Sequence, residues 1–181
     1  MKDFMELLKT RRSIRKYEDR EIPGSDLDKI FEAVQWSPSW ANTQCWELVA
    51  VRDRKVKEEL RATLPPTNPA ARAVVDAPVV LALCASRGKA GYYKGEASTI
   101  LGDWLMFDLG IATQSICLAA WDLGLGTVIV GLFDHNAARK ALSVPENHDL
   151  VALIPVGYPA HASAAPRRRE TGEFVHLDRF Q

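Results

Sequence analysis

At 181 residues and 47% hydrophobic side chains, the chain carries enough apolar material for one domain of ordinary size. Its 23 basic residues are matched by 23 acidic ones, so no global field argues for a nucleic acid or an anionic membrane as partner. Cys45, Cys84 and Cys117 lie far apart without CxxC spacing, which reads as buried free thiols in a reducing compartment rather than as metal ligands. The charged N-terminus MKDFMELLKTRRS lacks the apolar length of a signal peptide, and the uncharged run 109–121 is too short to span a bilayer. The expected location is cytoplasmic.

In chain order, Asp3 is positioned to cap a first helix with Phe4, Leu7 and Leu8 on one face. Ser25 and Asp28 have capping-box spacing at the head of a second helix, whose stripe is Leu27, Ile30, Phe31 and Val34 and which Pro38 breaks. Residues 46–51 read as a strand. Asp53 starts a charged helix with Val56 and Leu60 inward, stopped at Pro65-Pro66. Residues 78–85 are apolar at consecutive positions, as in a strand covered on both faces. A loop over 88–95 leads to a long helix expected over 97–123, apolar nearly all round and therefore central, which Gly124 and Gly126 end. A short strand over 127–130, a helix from Asp134 to Leu142, a strand over 150–156 and a last strand over 174–177 complete the pattern. Strands alternating with helices indicate a layered α/β or α+β architecture. Residues 1–181 are expected to form one domain, with 158–181 an extension that has few core signals and packs on something else, such as a second subunit.

Arg11-Arg12-Ser13-Ile14-Arg15 places three guanidiniums and a hydroxyl within five residues. In an extended segment Arg11, Ser13 and Arg15 share one side, good chemistry for a phosphate dianion; on composition alone a solvated basic helix end is the favoured account. Arg167, Arg168 and Arg169 pose the same choice. Residues 124–131, GLGTVIVG, fit neither GxGxxG nor GxxxxGK[ST], which excludes a Rossmann or P-loop reading. They read either as helix stop, buried strand and turn, or as a strand end offering backbone N–H groups to a flat ligand. His135, His148, His161 and His176 have no zinc spacing, and no serine sits in a GxSxG elbow. Asp103 and Asp108 are five residues apart, which splays them on a helix. The connection SPSWANTQCW (37–46) joins a helix to a strand with two tryptophans, an Asn and a Gln and no charge. No side chain is assigned as catalytic, so an enzyme of this sequence needs a cofactor for the hard step.

RRSIRKY (11–17), SPSWANTQCWELV (37–49), APVVLALCA (77–85), the long stretch 103–134, and LVALIPVGYPA followed by PRRR and FVHLD occur in one order over nearly the whole chain. Together they resemble the nitroreductase family of flavin enzymes. The resemblance implies an α+β fold with a central, mostly antiparallel sheet flanked by helices, a domain-swapped tail, and a homodimer binding two FMN at the subunit interface. It implies that Arg11, Arg12, Ser13 and Arg15 hold the FMN phosphate and ribityl chain, with Arg15 also reaching the isoalloxazine. Pro38, Ser39, Trp40, Asn42 and Gln44 match the loop that covers the flavin of the other subunit. Ile129, Val130 and Gly131 match the strand end facing the ring, and Arg167, Arg168 and Arg169 include the C-terminal residues on the phosphate.

The reaction implied is ping-pong. NADH or NADPH reduces FMN and leaves, and a nitroaromatic, quinone or similar small oxidant takes the electrons; no metal, membrane or nucleic acid is involved. Other readings are a specialised relative (a dehalogenase, a flavin-fragmenting or an azoline-oxidising enzyme), a non-catalytic flavin-binding dimer, and a dimeric protein whose arginines are only solvated. The chain departs from the family at Ala70-Ala71-Arg72-Ala73, where members carry a polar flavin contact and Arg72 is the substitute on offer. It departs again at Leu132, where members often have Gly or Ala, and in lacking the longer insertion that covers the active site.

Overall fold

A computed structural model describes residues 3–161 and 163–180. The Asp3 carboxylate accepts the N–H groups of Met5 and Glu6 at 3.0 and 3.2 Å, as an N-cap should, and starts α1 (Phe4–Thr10). Helix α2 (Gly24–Gln35) buries the expected Leu27, Ile30 and Val34. Its start differs from the expected capping box: Pro23 occupies the cap and no side chain closes it. Strand β1 (Trp46–Val51) and α3 (Arg54–Ala62), capped by Asp53 on Val56 N–H, follow the sequence pattern. A short helix α4 (Ala71–Asp76) precedes β2 (Val79–Ser86). The loop before the long helix folds back as a two-residue hairpin, β3 (Tyr92–Tyr93) with β4 (Glu96–Ala97). After α5 (Leu105–Asp122) come β5 (Gly126–Thr127), α6 (His135–Ala141) and β6 (His148–Gly157).

The main sheet has the order β1-β2-β6-β5, every pair antiparallel. All eight residues of β2 are buried because both faces are covered. Val79, Leu81, Leu83 and Ala85 pack with the apolar stripes of α2 and α5; Val80, Ala82 and Cys84 pack with α3, α4 and α6. Period-two alternation thus feeds two cores from one strand. The architecture is α+β, an antiparallel sheet between two helical layers.

Three expectations are corrected. Helix α5 begins at Leu105, not 97, because Gly102 turns the chain (φ 68°) and the following Asp103, ahead of the N-cap Trp104, takes Leu105 N–H on its Oδ1 at 2.9 Å. It is also not buried all round: Met106 and Phe107 are 62% and 60% exposed. Residues 174–177 form no strand; a 3-10 turn at Thr171–Glu173 precedes them, and Phe174, Val175 and Leu177 stand exposed. Among the described residues no helix is long and apolar enough to cross a membrane.

Candidate functional site

The arginine segment is held by its own backbone and by Ile14. Arg12 turns back on the end of α1, its Nη1 donating to the carbonyls of Lys9 and Arg11 at 2.7 and 2.8 Å, where a cation suits unsatisfied helical carbonyls. The chain then runs extended alongside β5: Ser13 pairs with Thr127, and Ile14 N–H donates to Thr127 O at 2.8 Å. Ile14 is buried against Gly126, so its neighbours Ser13 and Arg15 take the opposite face. Arg15 is exposed, and neither Arg11 nor Arg15 makes a side-chain hydrogen bond or ion pair among the described residues.

Beyond β5 the chain continues along the sheet edge. Val128 and Val130 point into the core and Ile129 and Leu132 outward. Val130 and Leu153 exchange two backbone hydrogen bonds of 2.9 Å. A trans peptide sets C=O and the next N–H antiparallel, so with the Val130 carbonyl on β6 the Gly131 N–H points away from the sheet. Asn68 Nδ2 donates to Leu132 O at 3.0 Å, and a ring nitrogen of His135 lies 3.2 Å from Gly131 O. Arg15, Asn68, Pro69, Ala70 and residues 128–132 line one cavity of about 240 Å³. Arg15, Ile129, Val130 and Gly131 are thus brought together. Asn68 was missed in the sequence, although an amide shortly before the β2 strand was the signal to look for. Arg72 does not take that position: it pairs with Asp76 at 3.1 Å and lines a separate cavity with residues 17–21.

The connection 37–44 is a built loop. Ser37 Oγ hydrogen-bonds Ser115 Oγ at 2.7 Å, and Ser39 Oγ accepts Gln44 N–H at 3.0 Å. The Trp40 ring packs on Trp104, centroids 4.9 Å apart. Ala41, Asn42 and Gln44 all have positive φ (42°, 56° and 47°), which costs energy for residues other than glycine, least for Asn. Pro38, Asn42 and Gln44 are exposed. This loop rests on the first turns of α5, whereas the arginine segment lies at its other end, where Trp121 Nε1 donates to Thr10 Oγ1 at 2.9 Å. From Asp108 to Trp121 is about 20 Å at 1.5 Å per helical residue. Within one subunit the two groups of residues do not meet.

Arg167, Arg168 and Arg169 lie in the exposed segment 163–180; Arg169 pairs with Glu173 at 3.3 Å. Asp103 and Asp108 do not form a carboxylate pair. Both Asp103 oxygens accept backbone N–H groups, from Leu105 and Gly88. Ser86, His148 and Asn147 are linked at 2.7 and 2.8 Å in the outline of nucleophile, base and orienting group. However, Ser86 is buried, and the next two amides are committed to Asn147 O and Asp103, so they offer no oxyanion site beside it. Burial raises all three thiols, Cys45 to about 12 and Cys84 to about 11, which leaves them protonated and unreactive.

The family model described as Nitroreductase family matches residues 8–158. A Methanothermobacter thermautotrophicus protein, named provisionally an NADH dehydrogenase/NAD(P)H nitroreductase, is 35% identical over 98% of this chain and 88% of its own length. The FMN reductase [NAD(P)H] of Bacillus subtilis is 32% identical over 99% of this chain and 75% of its own. The solved FMN-dependent nitroreductase of Clostridium difficile R20291 superposes with a TM-score of 0.81 at 26% identity, covering 98% of this chain and 100% of that one.

Proposed function

Because the chain belongs to the nitroreductase family, we propose that it is an FMN-dependent NAD(P)H oxidoreductase, a cytoplasmic homodimer acting on nitroaromatics, quinones or similar small oxidants. The observation that carries this reading is the single cavity wall shared by the Arg15 side chain, unpaired among the described residues, and the outward Gly131 N–H. A cation and an unclaimed donor on one concave surface fit an anionic, flat, nitrogen-rich cofactor.

FMN, when bound, supplies the redox chemistry, accepting two electrons from NADH or NADPH and passing them to the oxidant. The chain's own residues bind and orient. Arg11 and Arg15 offer uncompensated guanidiniums to the phosphate and to the electron-rich edge of the ring. Arg12 fixes the backbone that carries Ser13, while Ile129, Val130 and Gly131 give the ring an apolar wall with one directed donor. No side chain is needed as acid or base.

The dimer is supported by what a lone subunit lacks. A cavity of about 240 Å³ falls short of the roughly 300–1,000 Å³ of usual ligand sites. Exposed Phe4 and Met5 on α1 and Met106 and Phe107 on α5 leave apolar faces uncovered. A two-fold axis that sets α5 antiparallel to its copy carries the 38–44 loop of one subunit to the arginine segment of the other. Pro38, Ser39, Trp40, Asn42 and Gln44 then cover the neighbour's flavin. The exposed tail, with Phe174, Phe180 and Arg167 to Arg169, lies along the partner.

The test is a visible spectrum of the purified protein with and without added FMN, followed by anaerobic addition of NADH or NADPH and then an oxidant. Uptake of two FMN per dimer, bleaching by the nicotinamide and recolouring by the oxidant are expected. No uptake refutes the cofactor reading, and uptake without bleaching refutes the enzyme.

A further inference from the structure

Asp108 is a carboxylate 1% exposed inside α5, without an ion pair among the described residues. Burying a charge is expensive unless it is hydrogen-bonded, and here the donors are few. The backbone N–H of Trp40 reaches both oxygens, at 3.0 and 3.1 Å, and the Cys45 thiol lies 3.7 Å from Oδ2. The Asp108 carboxylate therefore spends its acceptors on the root of one loop. In the next four residues of that loop, Ala41, Asn42 and Gln44 hold left-handed backbone. Strain of this kind persists only where the surroundings impose it, and it concentrates at sites of function. The other ties are weaker: Ser39 Oγ on Gln44 N–H closes the loop on itself, and Gln44 Nε2 donates to Asn42 Oδ1 at 3.2 Å. Ser37 Oγ on Ser115 Oγ ties the loop's start to α5, and the Asp108 carboxylate ties its middle there through Trp40 N–H.

We infer that Asp108 is a positioning residue: by holding Trp40 N–H it sets the shape in which the 39–44 loop closes over the cofactor bound at the arginine segment of the partner subunit. The inference rests on the proposed FMN dimer and adds a directional claim. The effect of Asp108 falls on the neighbour's site, not on its own subunit's.

Mixed dimers with two affinity tags read that direction through FMN affinity. A subunit carrying Arg11→Ala and Arg15→Ala, paired with wild type, is expected to bind one FMN per dimer, at the wild-type subunit's arginines. Adding Asp108→Ala to the arginine-deficient subunit is expected to weaken that site at least tenfold, since this subunit supplies its cover. Putting Asp108→Ala on the arginine-bearing subunit instead is expected to change it less than twofold. Asp108→Asn keeps an oxygen for Trp40 N–H and the side-chain shape. It is expected to show the same trans pattern, weakened, and it carries the test should Asp108→Ala not assemble. An effect that follows the arginine-bearing subunit, or no effect in either arrangement, overturns the inference while the FMN reading stands. A wild-type protein that takes up no FMN, or stays monomeric, overturns both.

Discussion

Gly126 and Ile14 fit together so closely that a Cβ on Gly126 would lie 2.4 Å from Ile14 Cγ1 and 2.7 Å from its Cβ. This contact docks the arginine segment on β5, and through it the order of the core reaches Ser13 and Arg15. Gly126→Ala must push the segment outward. Overpacking of this kind costs about 1–3 kcal/mol. A lower melting temperature by calorimetry and weaker FMN binding by flavin fluorescence are expected together. Gly131→Ala is the control: no protein atom lies within 4 Å of its added Cβ, so the fold should keep its stability.

Arg11→Ala with Arg15→Ala in both subunits should lose FMN while the protein stays folded, because neither side chain is tied into the structure. Charge-assisted hydrogen bonds contribute about 1.5–3 kcal/mol each, and about 1.4 kcal/mol is tenfold in affinity. A loss of at least about a hundredfold is therefore expected in a fluorescence titration. Stoichiometric FMN in the double variant would remove these residues from the phosphate.

Phe107→Glu places a charge on an exposed apolar side chain at the face of α5 assigned to the dimer. The variant should keep its far-ultraviolet circular dichroism and run as a monomer in light scattering. Its FMN should go with the dimer. A dimer of unchanged mass would mean that α5 faces solvent.

Cys45 and Cys84 have thiols raised from 9.0 to about 12 and about 11, in each case first by burial, with Asp108 and Glu47 respectively adding to it. In the unfolded chain they ionise at their ordinary value, in the folded one only above it. The stability they contribute is whole below pH 9 and is lost as pH rises toward 11 and 12. Iodoacetamide at pH 8 should leave the folded protein unmodified and label it fully in urea.

The strands and most helices were legible in the sequence because their signals are local. Asp3, Asp53 and Asp134 each cap the helix they precede, and β2 is the apolar run it looked to be. What failed was extent. Ile100, Trp104 and Phe107 share helical spacing, yet the turn at Gly102 and the Asp103 contact to Leu105 N–H start α5 only at Leu105. The Phe174–Leu177 stretch is apolar enough for a strand, but strand identity needs a partner edge, and among the described residues it pairs with none. In the candidate site, residue types alone left the arginine segment and the 129–131 strand end open between a structural and a binding role, and only the family resemblance assigned them to the cofactor. Asn68 had only its amide shortly before β2 as a signal, and Asp108 had none for its contact, since each acts on a backbone group 64 or 68 residues away.

In the proposed dimer the loop and the arginine segment, about 20 Å apart along α5 in one subunit, meet only across subunits, which would give the protein an unusual genetics. Each site would be the joint property of two gene products, one supplying arginines and the other the loop. An allele damaged in only one half should be rescued by an allele damaged in the other, because their mixed dimer contains one whole site. An allele damaged in both halves should be dominant over wild type, since every subunit it captures disables a healthy copy along with itself.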